Sequence, residues 1–160
     1  MAGLWFSPVV ADELPDFRRA LDEARRVSYK DWQQAQELLD HIAPLIEQAE
    51  PREFVDFQLL QARHDVLADR TEEGLARATE LLSLDLADDQ RLRVLQFSAN
   101  VGVLLRRYES AFASLSEALS IDVGLEDPTP RIATLNMAAY MPGRVGEYER
   151  GIEYGAPGLA

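Results

Sequence analysis

The chain has no cysteine, and Lys30 is the only lysine among its 160 residues. Without cysteine there are no disulfides, thiolate zinc sites, iron–sulfur ligands or cysteine nucleophiles. The compartment stays open, because a helical-repeat protein needs no covalent staple on either side of a membrane. Bases are also scarce, 16 against 28 acids, for a net charge of -12. A nucleic-acid backbone or an anionic membrane surface requires clustered cations, so neither is expected as a partner. No stretch approaches the roughly 20 apolar residues of a membrane span. No segment alternates at period two with β-branched enrichment, so no strand is expected. Phosphate loops, dinucleotide fingerprints and nucleophile elbows are missing. No cofactor and no catalytic constellation is expected.

What is present is helical periodicity, in a chain that is 47% hydrophobic. Phe17, Leu21, Ala24 and Val27 recur at helical spacing in a first segment from Asp12 to about Ser28. Ser28 with Asp31 resembles a capping box for the second helix, in which Pro44 predicts a kink or an early end. Pro51 opens the third helix, with Phe54, Phe57, Leu60, Val66 and Leu67 turned inward. Thr71 is expected to cap the fourth, and Asp88 and Asp89 to open the fifth. The sixth runs from about Tyr108 to Ile121. A loop "DVGLEDPTP" precedes the seventh, which "PGRVG" should end, and an eighth starts near Glu147.

The first residues carry their own signal. "LWFSPVVA" is a short apolar run ending in Val9 and Ala11, small residues spaced as before a signal-peptidase cut. Residues 1–11 therefore read either as a remnant of an export signal or as a loosely docked tail. Residues 12–160 read as one helical-repeat domain belonging to a longer protein.

One phrase recurs: a helix, a short turn with an aromatic, then a helix with small residues. It surrounds Trp32 ("DWQQAQELL"), Tyr108 ("RRYESAFASLSEAL") and Tyr148 ("GEYERGIEYG"), with Thr71 standing for the aromatic in "DRTEEGLARATELL". These anchors lie 39, 37 and 40 residues apart. Such a period predicts an all-α fold, an α-solenoid of about four helical hairpins. The aromatics are expected to wedge between helices, and Ala99, Ala111 and Ala118 to allow close helix approach.

Ala99 and Ala111, nine before and three after Tyr108, have counterparts in Ala139 and Gly151 around Tyr148. This pattern resembles the tetratricopeptide repeat, with a period longer than that family's roughly 34 residues. Gly102 and Pro142 stand where that family has tyrosine. Over about residues 31 to 155, the phrases "DFQLLQARHDVLADRTEEGLARA", "LRVLQFSANVGVLLRRYESAF" and "RIATLNMAAYMPGRVGEYERGIEYG" look like the N-terminal sensory region of bacterial tetratricopeptide-repeat diguanylate cyclases. The resemblance implies an exported, periplasmic sensor attached to a GGDEF output domain in cyclic-di-GMP signalling. A cytoplasmic scaffold of the same fold is the alternative.

In such a solenoid the first helix of each hairpin lines the concave groove. Arg93, Gln96 and Asn100 then align with Ala133, Asn136 and Tyr140. Gln96 and Asn100 share one face of an otherwise apolar helix. Two readings follow: a polar stripe for a protein, peptide or small ligand, or hydrogen bonds between helices. Part of this pattern resembles the carboxylate clamp of chaperone-binding repeats, but the lysines that clamp needs are absent. A homodimer is compatible with either reading. The two histidines, paired as Glu37–His41 and His64–Asp65, bring no third ligand, so no metal site is expected. The carboxylate pairs Glu72/Glu73, Asp88/Asp89 and Glu126/Asp127 sit at helix starts, where the dipole favours them.

Overall fold

The computed structural model describes residues 17–121 and 129–144. Among these the chain is all-helical, with no strand. The order is α1 (Phe17–Val27), α2 (Trp32–Ile42), a 3-10 helix (Ala43–Gln48), α3 (Pro51–Leu67), α4 (Thr71–Leu82), α5 (Asp88–Leu104), α6 (Tyr108–Ser120) and α7 (Thr129–Arg144). They fall into two compact units divided between Glu53 and Phe54. The expected N-terminal tail, the loop tip at 122–128 and the eighth helix with Tyr148 lie outside the described residues.

In the first unit α1 buries Phe17, Ala20, Leu21, Ala24 and Val27, one apolar stripe at helical spacing. α2 buries Ala35, Leu39 and Ile42 in the same way. Its N-cap is Asp31, whose side chain accepts from the Gln34 N–H at 3.0 Å. Ser28 is not the cap: its hydroxyl donates to the Arg25 carbonyl. Pro44 acts as expected. Lacking an N–H, it cannot continue the α-ladder, and the chain tightens into a 3-10 helix after Ile42. α3 then starts with proline at its first position, while Glu53 reaches back to the Glu50 N–H at 3.1 Å. Arg18 donates to both Glu50 and Glu53. Its guanidinium, followed by the Glu50 N–H, holds the Glu53 carboxyl below its ordinary pKa.

The second unit is built from hairpins that share one turn. Asp65 and Val66 accept backbone bonds from Arg70 (2.8 Å) and Asp69 (3.2 Å) at the end of α3. Gly102 and Val103 accept from Arg107 (2.7 Å) and Arg106 (3.1 Å) at the end of α5. Both are Schellman turns, and they recur at an offset of 37 residues. Each forces a residue with a Cβ into the left-handed region, Asp69 at φ 60° and Arg106 at φ 58°. Neither following helix has a side-chain cap. Arg70 and Arg107 hold the N-cap positions, and Thr71, expected there, is the first helical residue.

Small residues let the helices of each hairpin touch. Ala62, Gly74 and Ala78 are buried in α3–α4, as are Ala99, Gly102, Ala111 and Ala118 in α5–α6. A Cβ on Gly74 would stand 2.7 Å from the Ala62 carbonyl oxygen; one on Gly102 would stand 3.0 Å from the Ala111 Cβ. Each core also borrows from the next hairpin. Val55, Leu59, Ala78 and Leu81 pack with Val94 of α5; Ala99, Ala111 and Leu115 pack with Ala138 and Met141 of α7.

Two expectations are corrected. Trp32 and Tyr108 do open α2 and α6, but they remain 42% and 38% exposed, so they are not wedges; the small residues carry the contact instead. Leu67 points outward at 57% exposure. α7 ends at Arg144, within "PGRVG", as expected.

Two substitutions should move stability in opposite directions. Gly74→Ala forces a Cβ onto backbone and should lower stability by about 1–3 kcal/mol. Arg106→Gly relieves the left-handed residue and should raise it by about 0.5–1 kcal/mol. Thermal unfolding of the two variants beside the wild type checks both signs.

Candidate functional site

α3 and α5 lead their hairpins, α7 follows them, and side chains bridge the three helices in sequence. Arg93 of α5 donates to Asp56 of α3 at 2.7 Å and lies 3.7 Å from Asp89 one turn back. Gln96 of α5 donates its Nε2 to the Thr134 hydroxyl of α7 at 2.7 Å, and Thr134 is only 1% exposed. Two of the residues expected to face a ligand are therefore structural. Arg93 is an inter-helix ion pair, and Gln96 realises the second of the two readings, a hydrogen bond between helices.

Asn136 lies two residues past Thr134, about 200° around α7. Its counterparts at the same register are Leu59, buried beside Val94, and Gln96, bonded to Thr134. Those two meet the next helix, whereas Asn136, on the last of the described helices, is exposed.

The open side is a different row. Asn100 is exposed, and its counterparts are Arg63 of α3, 37 residues earlier, and Tyr140 of α7, 40 residues later. Tyr140 is 63% exposed and Arg63 is half-buried. One turn further along lie Leu67 and Leu104, again 37 apart and 57% and 55% exposed. Asn100 and Tyr140 are both exposed, and Arg63, Leu67 and Leu104 share or adjoin their register. Of these, Arg63 follows from Asn100 by the 37-residue offset into α3, as Leu67 does from Leu104.

Other polar groups tie the helices of the second unit together. Asp65, 5% exposed at its side chain, takes Arg70 on one oxygen at 2.7 Å and Arg77 on the other at 3.2 Å. Arg77 also donates to Gln58 at 2.8 Å, so the carboxylate of the His64–Asp65 pair serves to tie α3 to α4. A concavity of about 730 Å³ at the start of α6 is lined by Arg106, Arg107, Tyr108 and Glu109. Its charge is already matched, because Arg107 pairs with Glu72 at 2.8 Å and Glu109 sits in the same turn.

No family model, curated protein or solved structure matches this chain.

A double-mutant cycle separates the bridging residue from the open row. Gln96→Leu should cost about 1–2 kcal/mol by removing the donor to Thr134. Thr134→Val in the same background should recover part of that loss, since both polar partners are then gone. Asn100→Ala should stay within about 0.5 kcal/mol of wild type. Chemical denaturation of these variants and the wild type, with Thr134→Val alone closing the cycle, reads all of this.

Proposed function

We propose that this chain is a non-catalytic recognition module of the tetratricopeptide-like, α-solenoid kind, which takes a protein or peptide, or a small ligand, along the side lined by α3, α5 and α7. The observation that carries the reading is the row Arg63, Asn100, Tyr140, which sets a guanidinium, a carboxamide and a phenol at one register of α3, α5 and α7, with Asn100 and Tyr140 exposed. The hairpins sharing a turn at a 37-residue offset support the repeat, since equivalent helices then present equivalent faces.

The resemblance to sensory regions of tetratricopeptide-repeat diguanylate cyclases extends the reading. In that role the module is exported to the periplasm and reports occupancy to a GGDEF domain. The mechanism is a population shift: a ligand that prefers one curvature of the repeat array biases the attached output. The polar bridges Arg93–Asp56 and Gln96–Thr134 support this, because they join neighbouring leading helices beside the row a ligand would touch.

Selecting a random peptide display library on the chain tests the recognition claim. Enriched peptides should bind Asn100→Ala/Tyr140→Ala at least about tenfold more weakly, a loss of about 1.4 kcal/mol, at unchanged melting temperature. Peptides that bind the double variant as well as the wild type would remove the face from consideration. For the signalling claim, residues 12–155 are joined to a GGDEF domain and cyclase activity is titrated with an enriched peptide. Activity should respond to the peptide; a cyclase indifferent to deletion of the module would leave only the scaffold reading.

A further inference from the structure

We propose that residues 148–154 pack as a helix along the uncovered edge of α7, held there by a third copy of the turn that joins α3 to α4 and α5 to α6. This edge is a different face of α7 from Tyr140, and the proposal does not rest on what the open row binds. On α5, Leu92, Leu95 and Ala99 are at most 1% exposed, in clusters shared with α6. Their counterparts on α7, 40 residues later, are Ile132, Leu135 and Ala139. Ile132 is 52% exposed and the other two are half-buried. Among the described residues no helix follows α7 to take the place that α6 takes on α5.

The residues after α7 lie outside the described ones, but their sequence matches both described turns position by position. Three residues separate the helices in each, 68–70 between α3 and α4 and 105–107 between α5 and α6. The same count after Arg144 ends at Glu147 and brings the next helix to Tyr148. The middle residue of the three is left-handed, Asp69 at φ 60° and Arg106 at φ 58°. Between 145 and 147 it is Gly146, the residue type that takes this conformation at least cost. A second match lies where the helices approach most closely. Asp65 and Gly74 are nine apart in sequence, and a Cβ on Gly74 would stand 3.5 Å from the Asp65 Cβ. Gly102 and Ala111 are also nine apart, and there the distance would be 3.0 Å. In both pairs one partner gives up its Cβ. Pro142 and Gly151 form the third pair at that separation, and again one of them is glycine.

Charge fits the same occupant. Among the described helices α7 alone carries no acid, and its sequence holds Arg131 and Arg144. Residues 147–154 bring Glu147, Glu149 and Glu153 against Arg150, so the two segments are complementary. Glu149 also repeats Glu72 and Glu109, the second residues of α4 and α6, where a helix N-terminus favours an acid. A link of three residues further keeps this segment beside α7 at a far higher local concentration than a second molecule reaches.

Hydrogen exchange on the full chain, read by mass spectrometry, tests this. Residues 147–154 should exchange at least about tenfold more slowly than the same sequence as a free synthetic peptide. Gly146→Ile strains the left-handed turn and Gly151→Leu fills the close contact, so each should bring exchange to within about twofold of the free peptide. Gly146→Asn should keep the protection, because asparagine tolerates that conformation. Ala139→Leu alters α7 alone, yet should remove the protection of 147–154 as well. In every variant the α5 and α6 peptides should stay protected as in the wild type, which separates loss of docking from loss of fold. The proposal is overturned by wild-type exchange at the free-peptide rate, or by protection indifferent to Gly146→Ile or to Ala139→Leu. Protection that disappears on dilution would also overturn it, and would assign the edge to a second copy of the chain.

Discussion

Everything in the second unit depends on how closely the helices of one hairpin approach. Gly74 lies against the Ala62 carbonyl, and Ala111 lies against Gly102, so backbone meets backbone with almost no side chain between. That contact fixes the pitch of α4 on α3 and of α6 on α5. Once the pitch is fixed, the far side of each hairpin is shaped to receive the next leading helix. Val94 settles on the first hairpin, Ala138 and Met141 on the second.

Comparing the two turns shows how one backbone accommodates different chemistry. Arg70 and Arg107 occupy equivalent positions, but they bind differently. The residue six before the second helix is Asp65 in one hairpin and Gly102 in the other. Arg70 closes on Asp65 within its own turn, and Arg77 joins it there, so the buried carboxylate meets two cations. Gly102 offers no such group, and Arg107 reaches instead to Glu72 of the preceding hairpin. A buried charge is tolerated only with partners in place, so the glycine trades a local ion pair for a link between repeats.

Much of this was legible in the residues, and the misses have physical causes. Pro44 and Pro51 punctuate the helices as their chemistry requires, and the alanines mark the close contacts. The left-handed residues were hidden, because Asp69 and Arg106 occupy positions where glycine is the usual signal. The aromatics misled, since a large ring beside a turn reads as a wedge until the neighbouring small residues are seen to close the gap without it. The exposure of Asn100 and Tyr140 agrees with their register. The role of Gln96 was not readable: whether a polar residue on a helix faces solvent or the next helix depends on about 100° of rotation, and only the bond to Thr134 fixes that angle.

The recurring turn has a consequence for how such a chain changes length. Its hydrogen bonds close within six residues, from Asp65 to Arg70 and again from Gly102 to Arg107. A cut at one turn and a join at the other leave every bond of the turn intact and move the chain by one whole 37-residue block. Gain or loss of such a block preserves the phase of every leading helix, whereas a single inserted residue within α5 would rotate half of its face by about 100°. Two hairpins that share a turn are therefore spaced like graduations on a ruler: recombination between the turns would add or remove one whole graduation.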